Sequence, residues 1–446
     1  MKIELHAALE VLERRLDAAS RAPVAVAFSG GGDSLALLLA AAAFAERHGR
    51  PLVALHVDHG LQPSSAAWAD AAERTAERLG AAFVRLAWTG DKPRAGVPAA
   101  ARAARHRLIA DAAREMGAPV VLLGHTLDDQ LENALMRGAG VRVGVLGEWS
   151  ASPVWPEGRG LFLCRPLLNL RRADLRRWLG EEGFGWLDDP ANDNLGHPRA
   201  RARLALAEGD APRLPEVAGL RDLVGLWRAE PWGGVTLDRE ALSRADPNRA
   251  LRLLQAVAAC AAGVESLPRP GRAQGVLARI CAGETFVTTL GGARIEAGAG
   301  EVLTHREPGE AERGGLRPLT LQAGQAMVWD GRFEIAADRP GLGVQGLRGL
   351  GARLQAADRA LLAGVPASAR PALPLLRKLD DLSEPPRLAL AGTRAHIDGY
   401  GLCCRALCEE RLAAAAGLVT AEAEVGTIAR MAKTRRPSYV GMGSKD

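Results

Sequence analysis

Four short apolar runs punctuate the N-terminal part of the chain: VAVAF at 24–28, LVALHV at 52–57, AAFVRLAW at 81–88 and VVLLGH at 120–125. None alternates apolar with polar residues as a half-exposed strand would. Each is followed by a segment long enough for a helix, predicted over Ser34–Arg47, Ser64–Leu79, Pro98–Met116 and Leu127–Arg137. Strands that are apolar on both sides belong to a parallel sheet covered by helices on both faces. The fold class that follows is α/β, a doubly wound parallel sheet, with ligands expected beyond the carboxyl ends of its strands.

Leu5, Leu9, Leu12 and Leu16 fall at helical spacing and predict a leading helix over 1–20. After the fourth helix comes a Gly/Pro/Trp-rich stretch, GEWSASPVWPEGRG, read as a loop or hairpin, then CRPLLNL, a basic helix over Arg171–Glu182 and the turn-rich WLDDPANDN. The pattern changes near residue 205. Residues 215–265 read as mostly helical, with a short helix in 267–281 and a glycine-turned β-hairpin in 285–306. Short strands mix with loops over 316–400, and a last helix covers 409–416. The expected division is a nucleotide domain at 1–205, a mainly helical middle domain with a β-hairpin at 206–310, a smaller mixed α+β domain at 311–432 and a disordered basic tail at 433–446.

The formal net charge of +5 admits an anionic partner without identifying one. No apolar run reaches the roughly 20 residues of a membrane span. The first residues carry acids in a helical pattern, unlike a signal peptide, so a cytoplasmic protein is expected. The six cysteines lack C-x-x-C pairing and a nearby histidine set, and are read as reduced packing residues.

The first strand ends in SGGGDS, residues 29–34, and a helix follows at once. Glycines let backbone N–H groups approach an anion closely, and a helix N-terminus favours negative charge. Neither a Walker A loop nor a G-x-G-x-x-G fingerprint is present. Asp33 makes sense beside phosphates if Mg²⁺ bridges them, or as a helix-capping acid that needs no ligand. Asp58 and His59 end the second strand, and His125 leaves the fourth. Asp128 and Asp129 open the next helix, with Glu132 four residues after Asp128 on one face. Adjacent acids beside a triphosphate suit a Mg²⁺ site, and they equally suit an acidic first helical turn.

The S-G-G-x-D-S motif after a strand resembles the PP-loop of the ATP pyrophosphatases, a Rossmann-like fold. HVDHGLQPSSAAWAD, AARAARHR, GHTLDDQLENALMRGAG and RPLL…DDPANDN follow in that order. Together they resemble the tRNA(Ile)-lysidine synthetase family, strongly over residues 20–205 and more loosely beyond. The resemblance implies a carbon–nitrogen ligase. It adenylates the wobble cytidine of the CAU anticodon of isoleucine tRNA with ATP, then joins L-lysine to C2, releasing AMP and pyrophosphate. Ser29, Gly30, Gly31, Gly32, Asp33 and Ser34 would bind ATP, with Asp58, His59 and His125 close to the nucleotide. Asp33, Asp128 and Asp129 would serve the chemistry, Asp33 and Asp129 holding Mg²⁺. Thr126, Asn133, His106, Pro98 and Ala200 stand where the family usually has histidine, threonine, tyrosine, glutamate and asparagine.

Arginines cluster at 102 and 105, at 165–177 and at 199–203. Such a face can follow an RNA backbone, or simply be solvated. By resemblance the tRNA-binding set is Arg102, Arg105, Arg137, Arg199 and Arg203, and the later domains would contact the tRNA body. A homodimer is compatible with this reading, and no membrane partner is expected. Three alternatives stay open: a 2-thiocytidine-type thiolase, a small-molecule adenylating synthetase and a non-catalytic adenine-nucleotide module. The first would need sulfur-carrying cysteines, and the first 200 residues hold only Cys164.

Overall fold

The computed structural model describes residues 2–60, 65–93, 95–141, 143–188, 196–209, 211–214, 219–312, 314–390 and 400–426. The expected tail at 433–446 lies outside them, as do Ser64 and most of the DDPANDN stretch. The chain forms two compact units, Met1–Ala218 with Val419–Gly426, and Gly219–Leu418. The expected boundary at 310/311 falls inside the second unit, and residues 419–426, expected in the last domain, belong to the first.

The first unit opens with α1 (Ile3–Arg15), β1 (Val24–Ala27), α2 (Gly32–His48), β2 (Leu52–Asp58), α3 (Ser65–Arg78) and β3 (Ala82–Ala87). It continues with α4 (Val97–Glu115), β4 (Val120–Leu123), α5 (Leu127–Gly138), β5 (Trp149–Ala151), β6 (Phe162–Cys164), α6 (Arg172–Glu181) and α7 (Pro198–Glu208). The sheet order is β3-β2-β1-β4-β6-β5, parallel except for β5. The strand order reverses between β1 and β4, where a doubly wound sheet opens its crevice.

The runs of β1, β2 and β4 lack alternation because both faces of the sheet are covered there, while β3 at the edge stays partly exposed. Val24, Val26, Leu52, Ala54, Val120 and Leu122 enter a core shared with α1, α2 and α6. Their neighbours Ala25, Val53, Leu55, Val121 and Leu123 enter a second core on the face that α4 covers. Successive strand residues point to opposite faces, so each run must be apolar throughout.

The amino edge of this sheet is closed by the segment 419–426. Arg50, just before β2, donates to both carboxylate oxygens of Glu422, each at 2.8 Å. It also donates to the carbonyls of Ala22 (2.9 Å) and Asp17 (3.0 Å). The Asp17 amide donates to Glu422 at 2.8 Å, and Arg15 donates to the Thr420 carbonyl at 2.7 Å. Both charged side chains are buried, so each depends on the other for compensation.

The second unit carries a sheet of order β7-β8-β11-β10-β9, built from β7 (Trp227–Ala229), β8 (Val235–Asp238), β9 (Phe286–Leu290), β10 (Ala293–Ala297) and β11 (Glu301–Arg306). Packed with it are α8 (Arg239–Arg244), α9 (Pro247–Ala262) and α10 (Pro270–Cys281). The hairpin expected at 285–306 is therefore three strands. β7 and β8 lie in the stretch read as helical, paired around a Gly233–Gly234 turn in which Gly233 has φ +83°. Two smaller sheets follow. One has the order β12-β15-β16-β17, from β12 (Leu319–Thr320), β15 (Leu342–Gly346), β16 (Pro374–Lys378) and β17 (Arg387–Leu388). The other has the order β13-β14-β18, from β13 (Ala326–Trp329), β14 (Phe333–Ala337) and β18 (Leu402–Ala406). Helices α11 (Ala356–Ala363) and α12 (Cys408–Ala415) complete the unit. Among the described residues no helix is long and apolar enough to cross a membrane.

Replacing Glu422 by Ala leaves the buried Arg50 guanidinium unpaired. The first unit should lose about 3–5 kcal/mol of stability in urea unfolding. The double change Arg50→Met with Glu422→Leu should lose clearly less.

Candidate active site

The bend between β1 and α2 is held by its own serines. The Ser34 hydroxyl donates to the Gly31 carbonyl at 2.9 Å and lies 3.1 Å from the Ser29 hydroxyl. Ser34 accepts from the Ser29 amide at 3.2 Å, and Ser29 accepts from the Gly31 amide at 3.3 Å. No side chain caps α2, whose first residues are Gly32, Asp33 and Ser34. Their amides have no intrahelical acceptor, which makes the turn an anion seat.

Close packing fixes the loop. Gly30 has φ +85°, a left-handed conformation open to glycine. Its carbonyl accepts from the Leu187 amide at 3.0 Å. A Cβ on Gly32 would sit 3.4 Å from the Trp186 ring. Gly124, at the end of β4, approaches the loop from the other side. A Cβ there would lie 3.0 Å from the Asp33 carbonyl oxygen and 3.1 Å from Ser34 Cα. That contact brings His125 and the start of α5 beside the bend.

A cleft of about 530 Å³ opens here. It is lined by the glycine loop, Asp58, His59, His125 and Asp129, together with Arg105, Arg172, Arg176, Arg199 and Arg203. Its electrostatic centre is Arg172, at the start of α6. The guanidinium donates to Asp33 Oδ2 at 2.9 Å and to Glu132 Oε1 at 3.0 Å, and lies 3.5 Å from Asp129 Oδ1. Arg199 donates to Glu132 at 2.9 Å and to Asp129 at 3.2 Å, and Arg203 donates to Glu132 at 3.1 Å. Glu132 is wholly buried, and three guanidinium groups compensate its charge.

Asp33 and Asp129 are therefore brought together, as expected, but around a shared guanidinium. Among the described residues no three His, Cys, Asp or Glu side chains are arranged to hold a metal ion. Both oxygens of Asp129 are engaged, Oδ2 by the Thr126 amide (2.8 Å) and hydroxyl (3.0 Å) in a capping box. Burial alone would raise the Asp129 carboxyl, but Arg199, Arg172 and the Thr126 amide hold it below the usual range. Asp33 differs. Burial pushes its carboxyl up against the pull of Arg172, and its Oδ1 is buried with no partner among the described residues. Asp128 turns away from the cleft. It accepts from the Arg172 backbone amide at 2.7 Å and pairs with Arg171 at 3.1 Å, capping α6. Asp128, expected among the catalytic acids, is thus placed at the start of α6 and outside the cleft lining.

The histidines are kept neutral. Burial, then the charge of Arg105, lowers His59, whose Nδ1 is buried without a partner among the described residues. Burial pushes His125 down to about 3, with Arg165 adding to the shift. Arg165 donates to His125 Nδ1 at 3.3 Å, which leaves the ring proton on Nε2. Asp58 is held low by Arg85, which donates to it at 2.9 Å, and it accepts from the Gly60 amide at 2.9 Å.

The expected RNA-facing arginines separate. Arg105 lines the cleft and Arg102 lies exposed one turn earlier on α4. Arg137 donates to the Gly144 carbonyl at 3.1 Å, outside the cleft lining. Arg199 and Arg203 turn to the α5 acids because the buried Glu132 requires counter-charge. The roles of Arg172, Glu132 and Thr126 were not legible as such. Arg172 read as one of a basic run, since its partner Asp33 is 139 positions away.

A family model described as a PP-loop domain matches residues 5–209. The tRNA(Ile)-lysidine synthase of Caulobacter vibrioides is 47% identical over 413 residues, covering 92% of this chain and 97% of that protein. The tRNA(Ile)-lysidine synthase of Hyphomonas neptunium is 39% identical over 333 residues, covering 71% of this chain and 89% of that protein. Among solved structures, the U34-tRNA thiolase NcsA of Methanococcus maripaludis aligns with a TM-score of 0.40 at 16% identity, over 46% of this chain and 73% of that one.

Two outcomes follow from this geometry. Gly124→Ala forces a methyl group against backbone that cannot rotate away, so nucleotide-dependent turnover should fall at least about ten-fold with the far edge of the sheet undisturbed. Steady-state kinetics beside hydrogen exchange reads this. Burial, followed by Arg105 and Arg102, pushes His106 from its ordinary 6.5 down to about 3. The unfolded chain then binds the extra proton below 6.5, so this stability is lost as pH falls from 6.5 toward 3. His106→Phe should remove about 2 kcal/mol of the loss between pH 7 and about pH 5, seen as a flatter urea midpoint against pH.

Proposed function

This chain belongs to the tRNA(Ile)-lysidine synthase family, and from that premise we propose that its first unit converts the wobble cytidine of a CAU anticodon in isoleucine tRNA to lysidine. The observation that carries the proposal is the junction of an uncapped glycine-loop helix with the α5 acids and arginines in one cleft.

The reaction has two displacements. The cytidine O2 attacks the α-phosphorus of ATP, and the bond to pyrophosphate breaks. The lysine amine then attacks C2, the C2–O2 bond breaks, and AMP leaves with the oxygen. Adenylation is needed because a pyrimidine O2 is a poor leaving group. The loop amides of Gly32, Asp33 and Ser34 seat the phosphates, in a turn whose shape Ser29, Gly30 and Gly31 set. Negative charge gathers on the departing pyrophosphate, and Arg172 and Arg176 line the cleft to meet it.

A magnesium ion arriving with ATP fits one feature of this cleft, the unpartnered Asp33 Oδ1, and it would neutralise phosphate charge there. Neutral His59 and His125 stand beside the nucleotide as hydrogen-bonding groups. Arg102, Arg105 and Arg137 are assigned to the RNA backbone, since bidentate guanidinium suits phosphate. Residues 219–418 are assigned to the tRNA body. Isoleucine and methionine tRNAs share the CAU anticodon, so discrimination has to come from contacts outside it.

The purified chain with ATP, magnesium and lysine should form AMP with unmodified CAU-anticodon isoleucine tRNA and not with methionine tRNA. Labelled lysine should enter the RNA in equal amount. AMP without lysine incorporation would point to a different adenylation. No AMP with any tRNA would overturn the proposal.

A further inference from the structure

Trp68 has no place in the packing or the chemistry described so far. It stands in the first turn of α3, half-buried. It joins neither of the apolar cores that flank the first unit's sheet. Among the described residues no aromatic ring is paired with it and no cation lies over it. It nevertheless lines the cleft, in company with Ser29, Asp58, His59 and Arg105.

Helix geometry fixes its position relative to the phosphate seat. Ala72 lies four residues on, on the same face of α3, and its Cβ is 3.5 Å from where a Cβ on Gly30 would be. Trp68 therefore sits one helical turn from the glycine loop, at the carboxyl edge of the sheet. Aromatics are 4% of this chain, and the cleft's apolar lining comes mostly from strand and loop residues such as Leu55, Val57, Leu123 and Leu187, so a half-buried indole from α3 in the same lining calls for a reason. Packing does not supply one, because the ring fills no core. A planar π surface beside a phosphate seat and arginines is the complement of a nucleobase, which stacks on aromatic side chains.

We propose that Trp68 is a stacking wall for a nucleobase bound in this cleft. The inference rests on the adenylation reading, which brings two bases here: the adenine of ATP and the cytosine of the RNA. Both offer the same π chemistry, and binding measurements separate them.

The test uses the full chain with Trp68→Phe, Trp68→Leu and Trp68→Ala. ATP and an anticodon stem-loop RNA bearing CAU are titrated separately by calorimetry, without turnover. Leu and Ala should weaken one ligand by about ten- to hundred-fold. Phe, which keeps a ring, should stay within about three-fold of the parent. Loss confined to ATP assigns the stack to adenine, and loss confined to RNA assigns it to cytosine. Parent-like binding of both ligands by Trp68→Leu overturns the proposal. So does equal weakening of both ligands by all three variants with a lowered unfolding temperature, which would make Trp68 a packing residue. Failure of the parent chain to release AMP would sink the adenylation reading, while these binding data would still decide the role of Trp68.

Discussion

The guanidinium of Arg172 holds the cleft of the first unit in one piece. It reaches Asp33 on the glycine loop, Glu132 and Asp129 on α5, and its own backbone amide is held by Asp128. Three helices that meet nowhere in sequence are thereby locked at their N-terminal ends. Three acids this close would repel one another and resist burial, and a delocalised cation with several donors in one plane resolves both problems. Arg199 and Arg203 complete the compensation from α7. The cleft is thus a balanced lattice of opposite charges before any ligand arrives.

The same balance explains why the histidines stay neutral. His59, His106 and His125 lie near arginines, and burial with like charge pushes each of them down. A neutral imidazole can accept as well as donate, which suits polar recognition of a nucleotide. Lowered below its ordinary range, each ring stays uncharged at neutral pH.

Local features of the sequence translated faithfully into structure. The doubly wound sheet follows from the apolar runs of β1, β2 and β4, buried on both faces, with β3 at the edge only partly covered. The glycine loop follows from SGGGDS, and the proximity of His125 from its place at a strand end. Partnerships between distant segments were not visible in this way. Asp128 and Asp129 look alike as neighbours at a helix start, yet one caps α6 and the other faces the cleft. Which of them turns inward depends on the helix axis, set by packing far from either residue. In the second unit, Gly233–Gly234 allowed a tight turn that the apolar pattern around it did not announce, and β7 and β8 formed where a helix was expected.

The Arg50–Glu422 pair sets an order of events in the life of the chain. The first unit is interrupted after Ala218 and resumes only at Val419, with the whole second unit between. During synthesis, the partner of Arg50 lies 372 positions on, and after Ala218 the 200 residues 219–418 must be made before it emerges. At about 5–20 residues per second that is a delay of roughly 10–40 s. The sheet and its glycine loop can assemble in that interval, but the amino edge keeps an unpaired arginine until the end. The catalytic unit is thus the first to begin folding and the last to be finished.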